Sequence, residues 1–236
     1  MRVLAIDTAL EACSVAVFDT AHADARAQET LPMQRGHAEI LMPLIARMLD
    51  RAELEAADLD RIAVTTGPGS FTGLRVGIAA AQGLAFGTSR PIVGISALDA
   101  LGVAGLEGRE GSTVVGVWME AGRGEVFAAR YLVAPEDLFG VRSAGEAIAA
   151  LPEEVALAWA TGGPAVSNWI GDGVVRYREA IPSVDAVAPT PLLAPLVARL
   201  GTLAAAAGKA GAPHALRPVY VRPADVELAR DRKARG

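Results

Sequence analysis

The 236-residue sequence predicts an α/β protein whose first half has the element order βββαβαβα and whose second half is a reduced copy of the same architecture. Three observations predict this class. Strand-like runs open the chain, helical and strand patterns then alternate, and a glycine-rich loop joins a strand to a helix within the first half. A hydrophobic content of 52% over this length is enough to bury a substantial core.

Three apolar or alternating runs begin the chain. Val3–Asp7 predicts a buried strand, Cys13–Asp19 a second strand and Ala25–Leu31 a third, with turn-like residues between them. Because the connections are short, we expect the three strands to form a meander.

The first helix is predicted over Gly36–Arg51. Pro43 lies inside it and should kink the helix or mark a boundary. His37 stands at its start, where it could make a polar contact at an interface or be a surface or cap-region histidine. The broad apolar face consists of Ile40, Leu41, Leu44, Ile45, Met48 and Leu49.

A glycine-rich turn organises the next segment. Ile62–Thr66 predicts a strand, and Gly67–Gly69 ends it because proline offers no ladder N–H and glycine tolerates positive φ. Ser70 or Thr72 can cap the helix that follows. Gly87 is the expected left-handed residue at the helix end.

This second helix is apolar nearly all round. Arg75 is its only charge between Gly73 and Gly87, so we expect it to be buried on nearly all sides. Two arrangements remain open, a central helix packed within its own domain or a helix half covered by its own sheet and half by another chain. Small residues at every fourth position allow another backbone to approach closely: Gly73, Gly77, Ala81 and Ala85.

The glycine-rich loop lacks the known phosphate-binding patterns. Thr72 stands where G-x-G-x-x-G requires its last glycine, no lysine follows, and Ser70 lacks the flanking glycines of a nucleophile elbow. Actin-like phosphotransferases place an aspartate near the phosphates at the end of the first strand, normally followed by glycine. Here Asp7-Thr8 is followed by the bulkier Ala9–Glu11, so we expect no nucleotide site at this turn.

The remaining elements are predicted from shorter patterns, and a domain boundary is expected within Gly102–Gly111, which is rich in glycine and charge. We assign residues 1–108 to a first domain, 109–216 to a second and 217–236 to a tail. The predicted elements are a strand at Pro91–Ile95, a helix at Ala97–Leu106, strands at Thr113–Met119 and Glu125–Leu132 around the turn Ala121–Gly124, a helix at Ser143–Leu151, a strand at Val155–Ala160 and a helix at Pro191–Ala207.

Composition excludes several classes of function. The single cysteine, Cys13, lies in a strand pattern and excludes an intramolecular disulfide. The histidines, His22, His37 and His214, match no metal-ligand spacing. The longest uncharged helical stretch is too short for a membrane span, and a net charge of −5 argues against holding RNA alone. We therefore expect a cytoplasmic protein without metal or cofactor.

Several segments together resemble the TsaB (YeaZ) family. They occur in the family's order along most of the chain, and the segment Gly67–Arg75 is highly specific for it. The matching segments are Leu4–Thr8, Cys13–Ala16, His37–Pro43, Gly67–Arg75, Gly122–Phe127 and Pro218–Arg222.

The resemblance implies a duplicated actin-like, ribonuclease-H-like fold and a role in making N6-threonylcarbamoyladenosine (t6A) in tRNAs that read codons beginning with A. It implies an inactive relative of the metal-dependent transferase TsaD, with which it forms a heterodimer. TsaE joins the assembly, and tRNA is contacted only through the complex. TsaD-like chains carry two metal-binding histidines after the fifth strand, where this sequence has Ser96 and Ala100.

The resemblance also implies that the two N-terminal helices contact TsaD in a four-helix arrangement, with a homodimer possible when TsaD is absent. No catalytic residue is predicted. The alternative, an actin-like phosphotransferase or a peptidase active on its own, requires a site that these residues do not assemble. The predicted interface residues are His37, Leu41, Leu44, Ile45, Met48, Gly73, Leu74, Gly77, Ile78 and Ala81.

Overall fold

Two mixed β-sheets with helices on their faces form the protein. The computed structural model describes residues 1–22, 25–109, 111, 113–181, 187–188, 190 and 192–222. The first half follows the predicted order βββαβαβα: β1 (Arg2–Asp7), β2 (Ala12–Asp19), β3 (Ala25–Pro32), α1 (His37–Arg51), β4 (Arg61–Gly67), α2 (Phe71–Thr88), β5 (Ile92–Ser96) and α3 (Ala97–Leu106).

The first sheet has the strand order β3-β2-β1-β4-β5. Strand β1 pairs antiparallel with β2 and parallel with β4, as a meander followed by crossover units requires. The meander and the three helices predicted for this half are confirmed, and α1 continues through Pro43.

The second half repeats the plan with shorter elements. Its sheet has the order β11-β10-β6-β7-β8, and β9 pairs with the other end of β7. Its elements are β6 (Val114–Glu120), β7 (Val126–Val133), β8 (Val141–Ser143), β9 (Ile148–Ala150), α4 (Pro152–Thr161), β10 (Asn168–Ile170), α5 (Asp172–Arg176), β11 (Val187–Ala188) and α6 (Leu193–Ala206).

Two predicted elements of this half are wrong. The segment predicted as a helix at Ser143–Leu151 contains the short strand β9, which pairs with β7. The segment predicted as a strand at Val155–Ala160 lies inside helix α4, which begins at Pro152 and has two glutamates in its first turn. Proline at the first helical position and acidic residues beside it are helix-start signals that outweigh the short apolar run.

The end of α2 also differs from the prediction. Gly87 lies inside the helix, and Ser89 takes the left-handed position with φ 54°. In the predicted boundary segment, Gly102 belongs to α3, where a Cβ atom would lie 2.6 Å from the ring of Tyr131. Gly102 therefore allows α3 to pack closely against the second sheet and is not part of a linker.

Helices separate and cover the two sheets. Leu4 and Ile6 of β1 pack in the core beneath α1 and α2, whereas Val3 and Ala5, on the other face of β1, pack with α3 and α6. A third core lies between the second sheet and α4, around Trp118 and Trp169. This layered duplication is the actin-like, ribonuclease-H-like fold.

The last third of the chain returns to the first sheet. Helix α6 packs against it so closely that a Cβ at Gly201 would lie 2.6 Å from the Cβ of Ala63. The domain division at about residue 108 stays a prediction, and the tail residues 223–236 lie outside the described residues. Among the described helices, none is long and apolar enough to cross a membrane.

Candidate functional site

The glycine-rich loop between β4 and α2 packs on the turn after β1. The Ser70 amide donates a hydrogen bond to the Ala9 carbonyl at 2.8 Å, and a Cβ at Gly69 would lie 2.3 Å from the same oxygen. Ser70 is the residue that caps α2, because its Oγ accepts a hydrogen bond from the Gly73 amide. Only glycine at position 69 permits this contact.

Two of the small residues of α2 predicted to admit another backbone, Gly73 and Gly77, face this same turn. A Cβ at Gly73 would lie 2.2 Å from the Thr8 carbonyl oxygen, and a Cβ at Gly77 would lie 2.3 Å from Thr8 Oγ1. Thr8 Oγ1 in turn donates a hydrogen bond to the Gly73 carbonyl at 2.8 Å. The close approach on this side of α2 is therefore made by the turn after the chain's own first strand, which both of the arrangements left open by the sequence allow.

Asp7 lies at the bottom of this contact and is 1% exposed. Its Oδ1 accepts hydrogen bonds from the Ala9 amide at 3.1 Å and from the Thr65 hydroxyl at 2.8 Å. Burial raises the pKa of Asp7 to about 6, and the negative charge of Asp172 adds to the effect.

These contacts engage two of the backbone amides at this turn. The Ala9 amide is bonded to Asp7, and the Ser70 amide is bonded to Ala9. A glycine turn that binds phosphate must instead point its N–H groups at the ligand. These two amides are therefore not directed at a ligand, and the absence of a nucleotide site at this turn stays a prediction.

A cleft of about 520 Å³ nevertheless separates this turn from the second half. Its second-half wall carries ion pairs between its own residues. Arg176 Nε lies 3.3 Å from Glu120 Oε2, and Arg222 pairs with Glu125. Asp172, whose pKa is raised by burial, accepts hydrogen bonds from two backbone amides. The charges of this wall are thus largely balanced within the chain.

Ser96 and Ala100, which the resemblance aligns with metal-binding histidines, have structural roles here. Ser96 caps α3 by accepting a hydrogen bond from the Asp99 amide at 3.2 Å, and Ala100 is fully buried. Within the described residues, no group of three or more histidine, cysteine, aspartate or glutamate side chains is placed to hold a metal ion.

Cys13 and His37 are both buried. Burial raises the pKa of the Cys13 thiol to about 11, which leaves it protonated near neutral pH and unsuited to act as a nucleophile. His37 is the first residue of α1, as the cap-region alternative expects; it is 4% exposed, and its Nε2 lies 3.3 Å from the Ala12 carbonyl oxygen. A contact of His37 with a partner stays a prediction.

The predicted interface residues lie on the face of each helix that packs on the chain's own sheet, because apolar periodicity selects that face. Their part in an interface with a second chain stays a prediction. Buried in the isolated chain are His37, Leu41, Leu44, Ile45, Met48, Gly73, Leu74, Gly77, Ile78 and Ala81.

A different set of residues forms the outer surface of α1 and α2. On α2, Ala79, Gly83 and Gly87 are exposed at every fourth position, and the Phe86 side chain is 82% exposed. On α1, Ile40 and Met42 are exposed. The expectation that α2 is buried on nearly all sides is therefore wrong for the isolated chain. We call these residues of α1 and α2 the outer helix surface.

The sequence did not predict that a segment near the end of the described chain packs on the outer side of α2. Residues 213–222, here called the strap, contact both α2 and the end of β4. Gln82 of α2 donates hydrogen bonds to the carbonyls of Pro213 and Leu216, and the Val219 amide donates to the Thr66 carbonyl of β4. The motif Pro218–Arg222 was recognisable in the sequence. Its position against α2 depends on contacts more than 130 residues apart along the chain, which no local pattern reveals.

Comparisons with known proteins find relatives in both sequence and fold. Residues 31–216 match the family described as TsaD, tRNA N6-adenosine threonylcarbamoyltransferase. The TsaB protein of Escherichia coli, named for tRNA threonylcarbamoyladenosine biosynthesis, is 40% identical over 131 residues, which are 56% of this chain and 55% of that protein. The chain thus spans about half the length of the curated TsaB relatives that it matches.

Longer matches exist to proteins with less specific names. An uncharacterised protein of Mycobacterium bovis is 32% identical over 95% of this chain and 93% of its own length. The structure of YeaZ from Pseudomonas aeruginosa superimposes with a TM-score of 0.75 at 31% identity, covering 93% of this chain and 99% of that one. A second structure from that organism, described as similar to peptidase YeaZ, gives a TM-score of 0.77 at 32% identity over 94% of this chain and 99% of its own.

Proposed function

Because this chain belongs to the TsaB (YeaZ) family, we propose that it acts in the synthesis of t6A in tRNA as a non-catalytic subunit that pairs with a TsaD-type transferase. The transferase carries the metal and the reaction, and a TsaE-type ATPase joins the assembly. The substrates are tRNAs that read codons beginning with A, which the chain contacts only through the complex.

The observation that carries the pairing is the outer helix surface. Ala79, Gly83 and Gly87 leave a shallow track along α2 that a second helix can approach closely. Apart from the adjacent backbone of α2 itself, no described atom lies within 4 Å of a Cβ built at Gly83 or Gly87. Phe86 stands beside this track with most of its ring in solvent. A large exposed aromatic residue beside small residues fits the core of a protein interface.

The interior of the first half supports the non-catalytic role. In its first turn the Ala9 amide donates to Asp7, and the Ala9 carbonyl accepts from the Ser70 amide. Cys13 is buried and protonated, and Ala100 has no donor atom for a metal. An actin-like phosphotransferase or a peptidase acting alone would need at least one of these groups to be available.

Reconstitution of t6A synthesis tests the proposal. TsaC-, TsaD- and TsaE-type proteins from the same organism are incubated with tRNA, threonine, bicarbonate and ATP, with and without this chain. We expect modification to require the chain, and the Asp7→Asn, Ser96→Ala double variant to restore it as the wild type does.

A matched control separates chemistry from folding. The double variant is first shown to unfold cooperatively and to bind the transferase with the affinity of the wild type. If it passes both controls and still fails to restore modification, the chain contributes chemistry and the non-catalytic assignment is wrong. If modification proceeds equally well without the chain, the subunit role itself is refuted.

A further inference from the structure

Arg75 is the one charged residue of α2, and two contacts hold its side chain in place. Its guanidinium carbon lies 3.7 Å from the centre of the Phe71 ring, and its Nε donates a hydrogen bond to the Tyr220 hydroxyl at 3.2 Å. The Phe71 and Tyr220 rings themselves lie 5.7 Å apart. The strap and the start of α2 therefore fix a residue that is ordinarily one of the most mobile on a protein surface.

The end of the guanidinium is left available. Arg75 is exposed, and in the part of the chain that the structure describes, neither of its terminal nitrogens has a hydrogen-bond or ion-pair partner. A guanidinium whose Nε is already oriented presents its two terminal N–H groups as a rigid fork. Such a fork matches the two oxygens of a carboxylate and loses little side-chain entropy when it binds one.

A second arginine lies in the same groove. Between α2 and the strap is a groove of about 410 Å³ whose lining includes Arg75, Arg217, Ala79 and Tyr220 and, among the described residues, contains no aspartate or glutamate. Arg217 is also anchored, because its Nη1 donates hydrogen bonds to the carbonyls of His214 and Leu216. Two fixed positive charges with no acidic residue in the described part of the groove stand out on a chain of net charge −5.

We propose that this groove binds an aspartate or glutamate side chain of the protein that docks on the outer helix surface, with Arg75 as the residue that recognises the carboxylate. Ala79 belongs both to the groove lining and to the exposed row of α2, so a chain seated on that row lies next to Arg75. The proposal rests on the proposed pairing with a TsaD-type transferase and adds the chemistry of one contact.

Charge favours a protein carboxylate over an RNA phosphate as the occupant. Binding to a polyanion needs a broad basic surface, and the acidic balance of this chain opposes it. A single carboxylate inside a protein interface needs only the local pair of arginines. RNA binding by the groove is therefore a separate outcome that the test must be able to reveal.

The test measures the dissociation constant between this chain and the TsaD-type transferase of the same organism by calorimetry. Arg75→Gln is expected to weaken binding about tenfold or more, because it removes a charge-assisted hydrogen-bond pair. Arg75→Lys keeps the charge and loses the fork, so we expect most of the same loss. The matched control is Arg199→Gln, which removes an exposed arginine paired with Glu107 on a remote face and should leave the affinity unchanged.

Tyr220→Phe distinguishes loss of the carboxylate contact at Arg75 from displacement of the strap as the cause of weaker binding. It removes the hydroxyl that orients Arg75 but keeps the ring and both charges, so we expect a loss of only about threefold. If Tyr220→Phe weakens binding as much as Arg75→Gln does, the effect comes from the strap and the inferred carboxylate contact is wrong.

The remaining outcomes distinguish this inference from the proposed function. If the wild type does not bind the transferase, the proposed pairing fails and the inference fails with it. If the wild type binds and Arg75→Gln binds within a factor of two, only the inference is overturned. If Arg75→Gln spares the protein complex but lowers the affinity of that complex for tRNA, the groove serves RNA and the carboxylate contact is wrong.

Discussion

Helix α2 carries two rows of small residues on opposite sides, and they have opposite surroundings. Gly73, Gly77, Ala81 and Ala85 are buried, and the two glycines touch Thr8. Ala79, Gly83 and Gly87 are exposed, and no described residue outside α2 lies within 4 Å of a Cβ built at either glycine. Both rows repeat every fourth residue, so the sequence pattern is the same for a contact within the chain and for a surface left open.

The difference shows what glycine spacing can and cannot predict. Glycine inside a helix costs up to about 1 kcal/mol relative to alanine, so each row indicates a compensating close contact. For the buried row that contact is the β1 turn. For the exposed row no compensation exists within the described part of the chain, which is why we place the partner there.

Placing a large side chain in the buried row should have the largest effect. For Gly77→Leu we expect a loss of more than about 4 kcal/mol in the free energy of unfolding, because the new Cβ would meet Thr8 Oγ1, which is itself buried and bonded to Gly73. Urea denaturation followed by circular dichroism measures it. A variant as stable as the wild type would show that the buried row tolerates a large side chain as well as the exposed row is expected to.

The same substitution in the exposed row is the matched experiment. Gly83→Leu should leave the free energy of unfolding within about 0.5 kcal/mol of the wild type or raise it, since no described residue outside α2 lies within 4 Å of the new Cβ. We expect it to weaken binding to the TsaD-type transferase about hundredfold, because leucine holds a docked helix away from α2. Unchanged affinity would remove the exposed row from the interface.

The two rows also explain which parts of the molecule could be predicted from the sequence. The order of the first eight elements follows from long periodic runs and from strong punctuation such as Gly67–Gly69, and it is confirmed. The helix α4 and the strand β9 were missed because short apolar runs do not distinguish a strand from a helix. There, pairing with β7 and the helix start at Pro152 decide the structure.

The candidate site was predicted less well than the fold. Leu41 and Ile78 are apolar and regularly spaced, as both core residues and interface residues are, and only the packed structure shows that they face the sheet. The contact of Arg75 with Tyr220 joins residues far apart in sequence, so no local pattern could reveal it. The motifs identified the family, whereas long-range packing determines which of their residues remain exposed.

Asp7 directly precedes Thr8, so its titration tests whether the turn that contacts the buried row of α2 is shielded from water. Its pKa is about 6 in the folded chain against an ordinary 3.8, so the folded state holds the proton more tightly than the unfolded state. Its favourable contribution to stability is complete below about pH 4 and is lost as the pH rises through 6. Relative to the wild type, Asp7→Asn should therefore gain about 2 kcal/mol in free energy of unfolding between pH 4 and pH 7.

Urea denaturation of both proteins at several pH values measures this difference. Asn retains an oxygen that can accept the hydrogen bonds of Ala9 and Thr65, so the pH-independent part of the change cancels in the comparison. A difference that stays constant from pH 4 to pH 7 would mean that Asp7 is not desolvated, and that the turn beneath the buried row is open to water.

The smallest change gives the most direct comparison of stability with function. Gly83→Ala should raise the free energy of unfolding by about 1 kcal/mol and the melting temperature by about 2–4 °C, because alanine favours the helix and its methyl group meets no neighbour. If the exposed row serves close helix approach, the same methyl group should weaken transferase binding even as it stabilises the chain. A variant that is more stable and binds equally well would show that glycine at this position has no role in the interface.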